Sequence, residues 1–480
     1  MQSRTMVYNA ANGHVVRFAG RAMLLHVPTT ALFELDELGQ AVICATEGGG
    51  EFDLQTLHAN MAQHFAPGEI TDFVDKLAEL EVLQDRSGAR AINPRRVKIE
   101  AYPLSTLVLN VNTGCNLSCT YCYKEDLQTP ARGERMNFAT ASGSVELLLK
   151  QAAERDKVGI VFFGGEPLTN MPLIRQVVDY AERRASESKK HVDFSLTTNA
   201  TLLTPELVEF FNEHCFGISI SMDGPKVIHD RNRRSVGGKG TYELVAKKAR
   251  MLLERYRAKP VGARVTLTAG TTEVEAIHAH LRGELGFHEV GYAPVTSSDN
   301  AAFALSTEDL SQVHAAFERL GEEYLRFAIR GANNGFSNMH QLMTDLHEGR
   351  RKALPCGAGV GLLAVDKDGG LNLCHRFTGS DLPTFGNVAT GIDGERLGVF
   401  LGRAADRTGT DCATCRIRNL CAGGCYHEAY SRFGDPLHRT YHYCDLLRRW
   451  VDFGVRIYSE IMTHHPDFFR IHIEPRRAHA

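Results

Sequence analysis

The sequence predicts an α/β protein in which a partial parallel β/α barrel lies between a small N-terminal module and a cysteine-rich C-terminal region. Three observations predict this fold class. Short β-rich runs alternate with helical segments from residue 103 to residue 300, a ribbon-like pattern precedes helical periodicity in the first 95 residues, and seven cysteines fall between residues 356 and 444. Because a chain of 480 residues is too long for one ordinary core, several domains are expected.

Residues 1–95 are expected to form a winged-helix-like module. Met6–Ala19 and Ala22–Val27 alternate apolar and polar residues around turn-forming positions such as Asn12-Gly13, as the strands of a ribbon do. Apolar residues then recur with helical spacing, which predicts three helices at Thr30–Cys44, Leu54–Phe65 and Glu69–Leu83. The basic, proline-containing segment Arg86–Lys98 is predicted to be a linker.

The barrel is expected over residues 103–300, with helices such as Phe138–Glu154 and Tyr242–Arg255 between its strands. Six strands are predicted, at Thr106–Asn112, Gly159–Phe163, Val192–Thr197, Gly217–Met222, Arg264–Thr268 and Val290–Pro294. Six strands favour a partial (β/α)6 barrel over a complete one. In such sheets the chemistry lies at the carboxyl ends of the strands.

Three further segments complete the predicted organisation. Residues 301–350 are expected to form a helical bridge that contains a helix over Leu310–Ala328. Residues 351–450 are rich in glycine and cysteine and show little regular periodicity, which predicts a domain that depends on metal to fold. Residues 451–480 are expected to be a C-terminal helix and a solvated tail.

The overall composition is that of a soluble globular protein, with 43% hydrophobic and 23% charged residues. A formal net charge of -3 gives no electrostatic reason to expect nucleic acid or an anionic membrane surface as a partner. No apolar stretch approaches the roughly 20 residues that a membrane span requires. Because Met1–Val16 has no basic segment followed by an apolar one, no secretory signal is visible and a cytoplasmic location is expected.

Three cysteines follow the first predicted strand with the spacing Cys-x3-Cys-x2-Cys, namely Cys115, Cys119 and Cys122. A [4Fe-4S] cube has four irons, so three thiolates leave one iron open to a small molecule, whereas a structural cluster is closed by four. A zinc knuckle or chance spacing is the alternative, although structural zinc normally takes four protein ligands. The lone Cys44 and Cys215 lie in apolar sequence and are expected to be small buried hydrophobes.

Further motifs end the next predicted strands. Gly164-Gly165-Glu166 follows the second strand; its glycines would let the backbone approach a ligand, and Glu166 or nearby carbonyls could receive an amino group. The third strand ends in Thr197-Thr198-Asn199 and the fourth in a segment that contains Ser221 and Asp223. Arg233 follows; its fork suits a carboxylate, and a surface charge is the alternative.

These motifs, with an aromatic residue before the last cysteine of the loop, resemble those of the radical S-adenosylmethionine (radical SAM) superfamily. The resemblance implies that the open iron chelates S-adenosylmethionine (AdoMet), which is cleaved to a 5′-deoxyadenosyl radical that abstracts hydrogen from an unactivated carbon. It also implies that AdoMet contacts come from Tyr121, Gly164, Gly165, Glu166, Thr198, Asn199, Ser221 and Arg233.

The seven C-terminal cysteines resemble the SPASM extension of peptide-modifying radical SAM enzymes, which carries two auxiliary [4Fe-4S] clusters. The resemblance implies that Cys356, Cys374 and Cys425 hold auxiliary cluster I. It assigns auxiliary cluster II to Cys412, Cys415, Cys421 and Cys444. Some relatives have an eighth cysteine where this chain has Leu362, so cluster I keeps an open iron or takes a ligand such as His375 or Asp366. Two zinc ribbons are the alternative, but they leave three of these cysteines unused.

The N-terminal module resembles a peptide-recognition domain, in which an extended leader peptide adds as a strand to the edge of the ribbon. The whole chain most resembles the family of maturation enzymes for quinohemoprotein amine dehydrogenase, which form Cys-to-Asp and Cys-to-Glu thioether bonds in its small subunit. The expected partners are therefore a Cys-rich peptide or protein and an external electron donor such as flavodoxin or ferredoxin, with no nucleic acid and no membrane.

Two aspects of this hypothesis remain open. Asp223, at a strand end that faces the cavity, is the candidate catalytic base for a substrate thiol, and capping of the Asp-Gly turn is its alternative. A thioether maturase for another Cys-rich ribosomal peptide, or an anaerobic sulfatase-maturing enzyme, would share every cluster motif. An iron-sulfur electron carrier or a zinc scaffold would instead need closed four-cysteine sites.

Overall fold

The computed structural model describes residues 4–85, 104–123, 133–152, 155–296, 301–439 and 443–473. The predicted linker over residues 86–98 lies outside this part of the chain. The N-terminal region contains six strands and three helices. They are β1 (Thr5–Tyr8), β2 (Gly13–Phe18), β3 (Arg21–His26), β4 (Ala31–Leu35), α1 (Glu37–Thr46), β5 (Glu51–Asp53), α2 (Leu54–Met61), α3 (Pro67–Glu79) and β6 (Leu83–Asp85).

The predicted ribbon has three strands, in the order β2-β3-β4, and β1 pairs with β5 and β6 in a second small sheet. The prediction that a helix begins at Thr30 was wrong. Thr30 has a left-handed φ of 60°, which turns the chain so that Ala31–Leu35 pairs with β3. The helix begins after Asp36, whose carboxylate accepts a hydrogen bond from the Gly39 amide at 2.7 Å and caps it.

The central sheet contains the six predicted strands in sequence order. They are β7 (Thr106–Asn112), β8 (Lys157–Gly164), β9 (His191–Thr198), β10 (Gly217–Ser221), β11 (Val261–Leu267) and β12 (Glu289–Pro294). Each strand is parallel to its neighbours, so all six carboxyl ends meet at one edge. The predicted partial barrel is therefore confirmed.

Helices connect these strands and cover their outer face. They are α4 (Phe138–Gln151), α5 (Met171–Glu187), α6 (Pro205–Glu213), α7 (Lys226–Asn232), α8 (Tyr242–Arg255) and α9 (Val274–His278), with a 3-10 turn at Pro167–Asn170 and a π-helical turn at Ala279–Glu284. Alternate strand residues such as Ile218, Ile220, Val265 and Leu267 join this helical layer in the main core. The residues between them point into the barrel, which sets which side chains can reach a bound ligand.

The C-terminal half is more regular than its sequence predicts. It contains α10 (Thr307–Ala328), α11 (Ser337–His347), β13 (Leu362–Val365), β14 (Leu371–Asn372), β15 (Gly386–Asn387), β16 (Gly391–Ile392), α12 (Gly394–Ala405), α13 (Arg418–Cys421), α14 (Tyr426–Phe433), α15 (Cys444–His464) and α16 (Asp467–His472). Strand β13 adds to the free edge of β7, which extends the sheet to eight strands. Because α15 runs from Cys444, the predicted boundary at residue 450 falls inside a helix.

The N-terminal region packs against α15. His14 Nε2 lies 2.7 Å from an oxygen of Asp452, and Arg21 donates to the hydroxyl of Ser459 at 2.9 Å. The amide of Asn419, near the C-terminal cysteines, donates to the carbonyl of Val27 at 2.9 Å. The ribbon is therefore anchored to the cysteine-rich part of the chain. Among the described residues, every helix is too short or too polar to cross a bilayer.

Candidate functional site

The loop that carries Cys115, Cys119 and Cys122 begins just past β7. A second segment holds its backbone, because the amide of Ser118 donates to the carbonyl of Arg234 at 2.8 Å, and the amide of Thr120 donates to the carbonyl of Asn232 at 3.0 Å. Burial raises the pKa of Cys115 to about 12 and that of Cys119 to about 11. Since iron binds thiolates, loading this loop with a cluster must release protons.

The Gly-Gly-Glu segment packs directly on the start of that loop. The amide of Glu166 donates to the carbonyl of Gly114 at 3.1 Å. A Cβ atom at Gly165 would lie 2.1 Å from that same carbonyl oxygen, and one at Gly164, whose φ is 144°, would lie 2.3 Å from the carbonyl oxygen of Asn112. Both positions therefore require glycine, and they fix the cysteine loop at the carboxyl edge of the sheet.

The Glu166 carboxyl joins the ends of β8 and β9. It is 1% exposed and accepts hydrogen bonds from the hydroxyl of Thr198 at 2.6 Å, the amide of Asn199 at 2.7 Å and the amide of Leu168 at 3.1 Å. Burial raises its pKa to about 7, against the lowering effect of these donors. The Asn199 side chain extends the network by donating to Asn116 Oδ1 at 2.9 Å, next to the first cysteine of the loop.

Asp223 and Arg233 form a buried ion pair behind the cysteine loop. Arg233 Nε donates to Asp223 Oδ2 at 2.9 Å, and its Nη2 donates to Oδ1 at 3.1 Å. The hydroxyl of Tyr121 donates to Oδ2 at 2.7 Å, and the amide of Thr266 donates to Oδ1 at 3.0 Å. The alternative that Arg233 is a surface charge is wrong, because the residue is only 7% exposed. With four donors on its two oxygens, Asp223 can act as a base only after this network opens.

His229 lies under the same network and is fully buried. The hydroxyl of Thr241 donates to the carbonyl of Arg233 at 2.8 Å, so Nε2 of His229, 3.1 Å away, must donate to that hydroxyl. Nδ1 then accepts from the amide of Asp223 at 3.4 Å. Burial, reinforced by the charge of Arg233, lowers the pKa of His229 to about 4, which matches the neutral tautomer that these bonds require.

We expect His229 to make the stability of the protein depend on pH. Its pKa of about 4 in the folded chain lies below the ordinary value of 6.5, so the unfolded chain takes up a proton first. The stabilisation is complete above about pH 6.5 and is lost progressively as the pH falls toward 4. The urea concentration at the midpoint of unfolding should therefore decrease when the pH is lowered from 7.5 to 5.5 in the wild type. The decrease should be smaller in His229→Gln.

The matched control is His464→Gln, because the His464 side chain is 52% exposed. This variant should keep the pH dependence of the wild type. An unfolding midpoint with the same pH dependence in His229→Gln as in the wild type would contradict the prediction.

The C-terminal cysteines lie in two groups. In the first, the charges of Cys356 and Cys425 each raise the pKa of Cys374, after the larger effect of burial, so the three thiols are neighbours. In the second, Cys412, Cys415 and Cys421 act in the same way on Cys444. The second group lines a cavity whose wall also includes Cys425. The structure therefore brings together the members of each predicted ligand set.

The described side chains do not show the geometry of a single metal site. One zinc ion holds each sulfur at about 2.3 Å, so its ligands converge on a point. In the part of the chain that the structure describes, no three Cys, His, Asp or Glu side chains converge in this way.

The other candidates for cluster I have identifiable contacts. The ring of His375 lies 4.3 Å from that of Phe163, at the end of β8, so it faces the barrel. Asp366 accepts hydrogen bonds from the amides of Asp368 and Gly370 at 3.0 and 2.8 Å, and thus closes the turn between β13 and β14. Cys44 and Cys215 are both exposed, so the expectation that they are buried was wrong.

Sequence reasoning missed residues that link the two ends of the site. Tyr123 is half-buried. Burial raises its pKa, Arg376 lowers it, and the thiols of Cys122 and Cys374 both raise it further. The guanidinium of Arg376 lies 5.1 Å from the centre of the Tyr123 ring. Tyr123 thus lies between the three-cysteine loop and the first auxiliary group. An aromatic residue directly after the last cysteine of the loop was its only signal in the sequence.

Comparison with known proteins identifies related sequences. Residues 109–281 match the model of the Radical SAM superfamily. The cysteine-type anaerobic sulfatase-maturating enzyme of Clostridium perfringens is 23% identical over 367 residues, which cover 73% of this chain and 96% of that protein. The serine-type anaerobic sulfatase-maturating enzyme of Klebsiella aerogenes is 24% identical over 340 residues, or 67% of this chain and 80% of that protein.

Solved structures share the fold. The structure of anSMEcpe with bound AdoMet superposes with a TM-score of 0.61 at 20% identity, and covers 77% of this chain and 99% of that one. Streptococcus suis SuiB bound to the precursor peptide SuiA superposes with a TM-score of 0.52 at 15% identity, and covers 92% of this chain and all of that one. These likenesses confirm the predicted α/β fold with its parallel sheet and additional C-terminal domain.

Proposed function

We propose, from the match of residues 109–281 to the model of the Radical SAM superfamily, that this chain modifies a ribosomally made peptide by forming thioether bonds. AdoMet and a [4Fe-4S] cluster are the cofactors of that superfamily, and they supply a 5′-deoxyadenosyl radical. The more specific proposal is a Cys-to-Asp or Cys-to-Glu thioether in the small subunit of quinohemoprotein amine dehydrogenase. The position of Tyr123 carries the proposal, since the thiols of Cys122 and Cys374 both influence its pKa and the proposed AdoMet cluster and auxiliary cluster I would therefore lie on either side of one side chain.

Each part of the site has a role in this reaction. Cys115, Cys119 and Cys122 would hold the cluster that binds AdoMet, while Gly164 and Gly165 let the backbone approach it. Two auxiliary clusters would be held by the two C-terminal groups of cysteines. The hydrogen bonds of Glu166 fix the ends of β8 and β9 around AdoMet, with Thr198 and Asn199 as its donors. Thr198, Asn199, Tyr121, Ser221 and Arg233 complete the proposed contacts.

The contacts of Asp223 favour a positioning role over that of a catalytic base. Its carboxylate holds Arg233 and Tyr121 beside the cysteine loop and offers no free oxygen to a substrate thiol. We therefore propose that Asp223 orients the AdoMet-binding side of the loop.

The proposed reaction takes up one electron and later releases one. One electron from an external donor such as cytoplasmic flavodoxin or ferredoxin cleaves AdoMet to methionine and the radical, which takes one hydrogen atom from a substrate carbon. The carbon radical then forms a bond to a substrate thiolate, which has lost its proton, and one electron leaves. A cluster with a suitable potential, such as auxiliary cluster I, can accept that electron. The peptide loses two hydrogens for each bond formed.

The N-terminal ribbon supports a peptide as substrate. Strand β4 pairs with β3 on one side and has no strand partner on its other edge within the described residues. Phe33, on β4, is 41% exposed. An extended leader peptide can add to such an edge through backbone hydrogen bonds. The SuiB structure, solved with a precursor peptide, also covers a larger share of this chain than anSMEcpe does.

The test is co-expression with a short Cys-rich peptide encoded beside this gene, followed by mass spectrometry. Thioether formation predicts the loss of two hydrogens per bond and a sulfur that iodoacetamide no longer alkylates after denaturation and reduction. A product aldehyde that reacts with a hydrazide would support sulfatase-type maturation instead. Failure of the reduced holoprotein to release 5′-deoxyadenosine from AdoMet would refute the radical reaction itself.

A further inference from the structure

Arginines line the cavity that the second group of C-terminal thiols surrounds. Among the described residues in its wall, Arg407 and Arg439 are the two that are buried, at 8% and 9% exposed. Neither forms an ion pair shorter than 4.0 Å with a carboxylate that the structure describes. A buried guanidinium without an anion is costly, because burial disfavours its charge. A negative group bound in this cavity would offset that cost.

The carboxylates in the wall of the cavity do not supply this charge. Glu428 accepts a hydrogen bond from Nε of Arg432 at 2.7 Å. Asp411 is exposed, and the structure pairs it with neither buried arginine. The thiols themselves are the remaining source of negative charge, since they must release their protons to bind iron.

Backbone carbonyls hold Arg407 in the wall of the cavity. Its Nη1 donates to the carbonyl of Arg418 at 2.6 Å, and its Nη2 donates to the carbonyls of Lys352 and Ala353 at 2.9 and 3.0 Å. Its Nε is buried and has no hydrogen-bond partner in the part of the chain that the structure describes. Because buried donors are almost always paired in folded proteins, this N–H is available to a group bound in the cavity.

The thiols act on Arg407 across the same cavity. Burial lowers the pKa of its guanidinium and Arg439 lowers it further, whereas Cys412, Cys421 and Cys415 raise it. All five residues line the cavity. A [4Fe-4S] cube held by these cysteines would therefore lie in the cavity whose wall contains the unpaired Nε.

Backbone contacts also fix Arg439. Its Nη2 donates to the carbonyls of Ala404 and Asp406 at 3.2 and 2.9 Å. A Cβ atom at Gly423, whose φ is 110°, would lie 2.5 Å from its Nη1. The guanidinium thus packs on the glycine turn that follows Cys421, and a side chain at Gly423 would displace it.

We propose that Arg407 donates a hydrogen bond from Nε to a sulfur of auxiliary cluster II, and that Arg407 and Arg439 together raise the reduction potential of this cluster. The proposal rests on the proposed function, because it takes the second group of cysteines to hold a cluster. A cube held by four thiolates is an anion that gains one more negative charge on reduction, so nearby cations and N–H donors favour its reduced form.

This tuning gives the two arginines a role in the proposed reaction. The electron that leaves when the carbon–sulfur bond forms is taken up by auxiliary cluster I. Its ligand Cys425 also lines the cavity of the second group, so the two groups of thiols are adjacent. A raised potential at auxiliary cluster II favours transfer of that one electron, with cluster I reoxidised and cluster II reduced.

The experiment is a potentiometric titration of the reconstituted holoprotein, followed by electron paramagnetic resonance. The signal of auxiliary cluster II is the one that Cys412→Ala removes. In Arg407→Gln, its equilibrium constant for reduction should fall about tenfold, or about 59 mV for one electron, since a hydrogen bond to a charged group contributes at least that much. Arg439→Gln should lower it as well, and Arg407→Lys, which keeps the charge, should lower it less. The control Arg403→Gln, at an exposed position of α12, should leave every potential unchanged.

A measurement on the unaltered chain covers the case in which Arg407→Gln loses the cluster, because Arg407 also holds three carbonyls. After labelling with nitrogen-15 arginine and reduction, pulsed resonance should detect a nitrogen-15 coupling in the signal of auxiliary cluster II. Absence of this coupling, or an unchanged potential in Arg407→Gln, would overturn the proposal.

Iron content and AdoMet cleavage separate this proposal from the proposed function. A wild-type chain that holds about twelve irons and releases 5′-deoxyadenosine, but shows neither effect of Arg407, would contradict the tuning of auxiliary cluster II alone. A chain that binds no cluster at the second group of cysteines would refute the ligand assignment on which both rest.

Discussion

Replacement of Cys115 by alanine is expected to remove about four of roughly twelve irons per chain and to abolish AdoMet cleavage. Three thiolates are the minimum that holds a cube with one open iron, so a loop with two cannot bind the cluster that AdoMet needs. The auxiliary groups lie in a different part of the chain and keep all their cysteines. Iron and sulfide analysis after anaerobic reconstitution, with chromatographic assay of 5′-deoxyadenosine, checks both effects.

The matched control for this variant is Cys215→Ala. Cys215 is exposed, lies just past α6 and belongs to none of the three cysteine groups. Its replacement should change neither the iron content nor the yield of 5′-deoxyadenosine. Full AdoMet cleavage by Cys115→Ala would show that the loop is not the cluster site, and the proposed function would fall with it.

Asp223→Asn is expected to lower the free energy of unfolding by about 3 kcal/mol, because it leaves the buried Arg233 without its anion. The loss of a buried partner costs more than the pair itself contributes. Arg233 also lies 5.5 Å from the centre of the Tyr121 ring, so we expect weaker AdoMet binding in the same variant. Urea unfolding of the holoprotein and equilibrium binding of AdoMet measure the two effects.

An exposed ion pair provides the comparison. Glu275 accepts both hydrogen bonds of Arg319 at 2.7 Å, but the side chains are 45% and 58% exposed. Glu275→Gln should therefore cost no more than about 1 kcal/mol. The double variant Asp223→Asn with Arg233→Met should recover part of the stability, since it removes the unpaired charge. Unchanged stability in Asp223→Asn, combined with loss of product, would instead support the catalytic base.

Much of the fold could be predicted because strand and helix periodicity are local properties. The bounds of β7 and α8 agree with the sequence patterns residue for residue, and all six predicted strands are present in one parallel sheet. The helix predicted from Thr30 failed because Ala31–Leu35 is short and its apolar residues suit either period. Pairing with β3 across the turn at Thr30 decided it.

The addition of β13 to the edge of the central sheet could not be predicted for a similar reason. Leu362–Val365 is a short apolar run that fits a strand, a buried helix turn or a loop equally well. It becomes a strand because β7 leaves a row of backbone donors and acceptors unpaired at the edge of the sheet. The length of α15 was likewise hidden, since glycine and cysteine before residue 444 obscured the helical pattern that follows.

The sequence alone determined the chemistry that the residues can offer, because ligand type and spacing are local properties of the chain. It identified the three-cysteine loop, the Gly-Gly-Glu segment after β8 and the two C-terminal groups of thiols. Only the tertiary structure decided which polar groups remain available. It pairs Asp223 with Arg233 in the interior and leaves Cys44 and Cys215 exposed. The physical reason is that the charge state and availability of a side chain depend on burial and on neighbours from other strands, which no local pattern records.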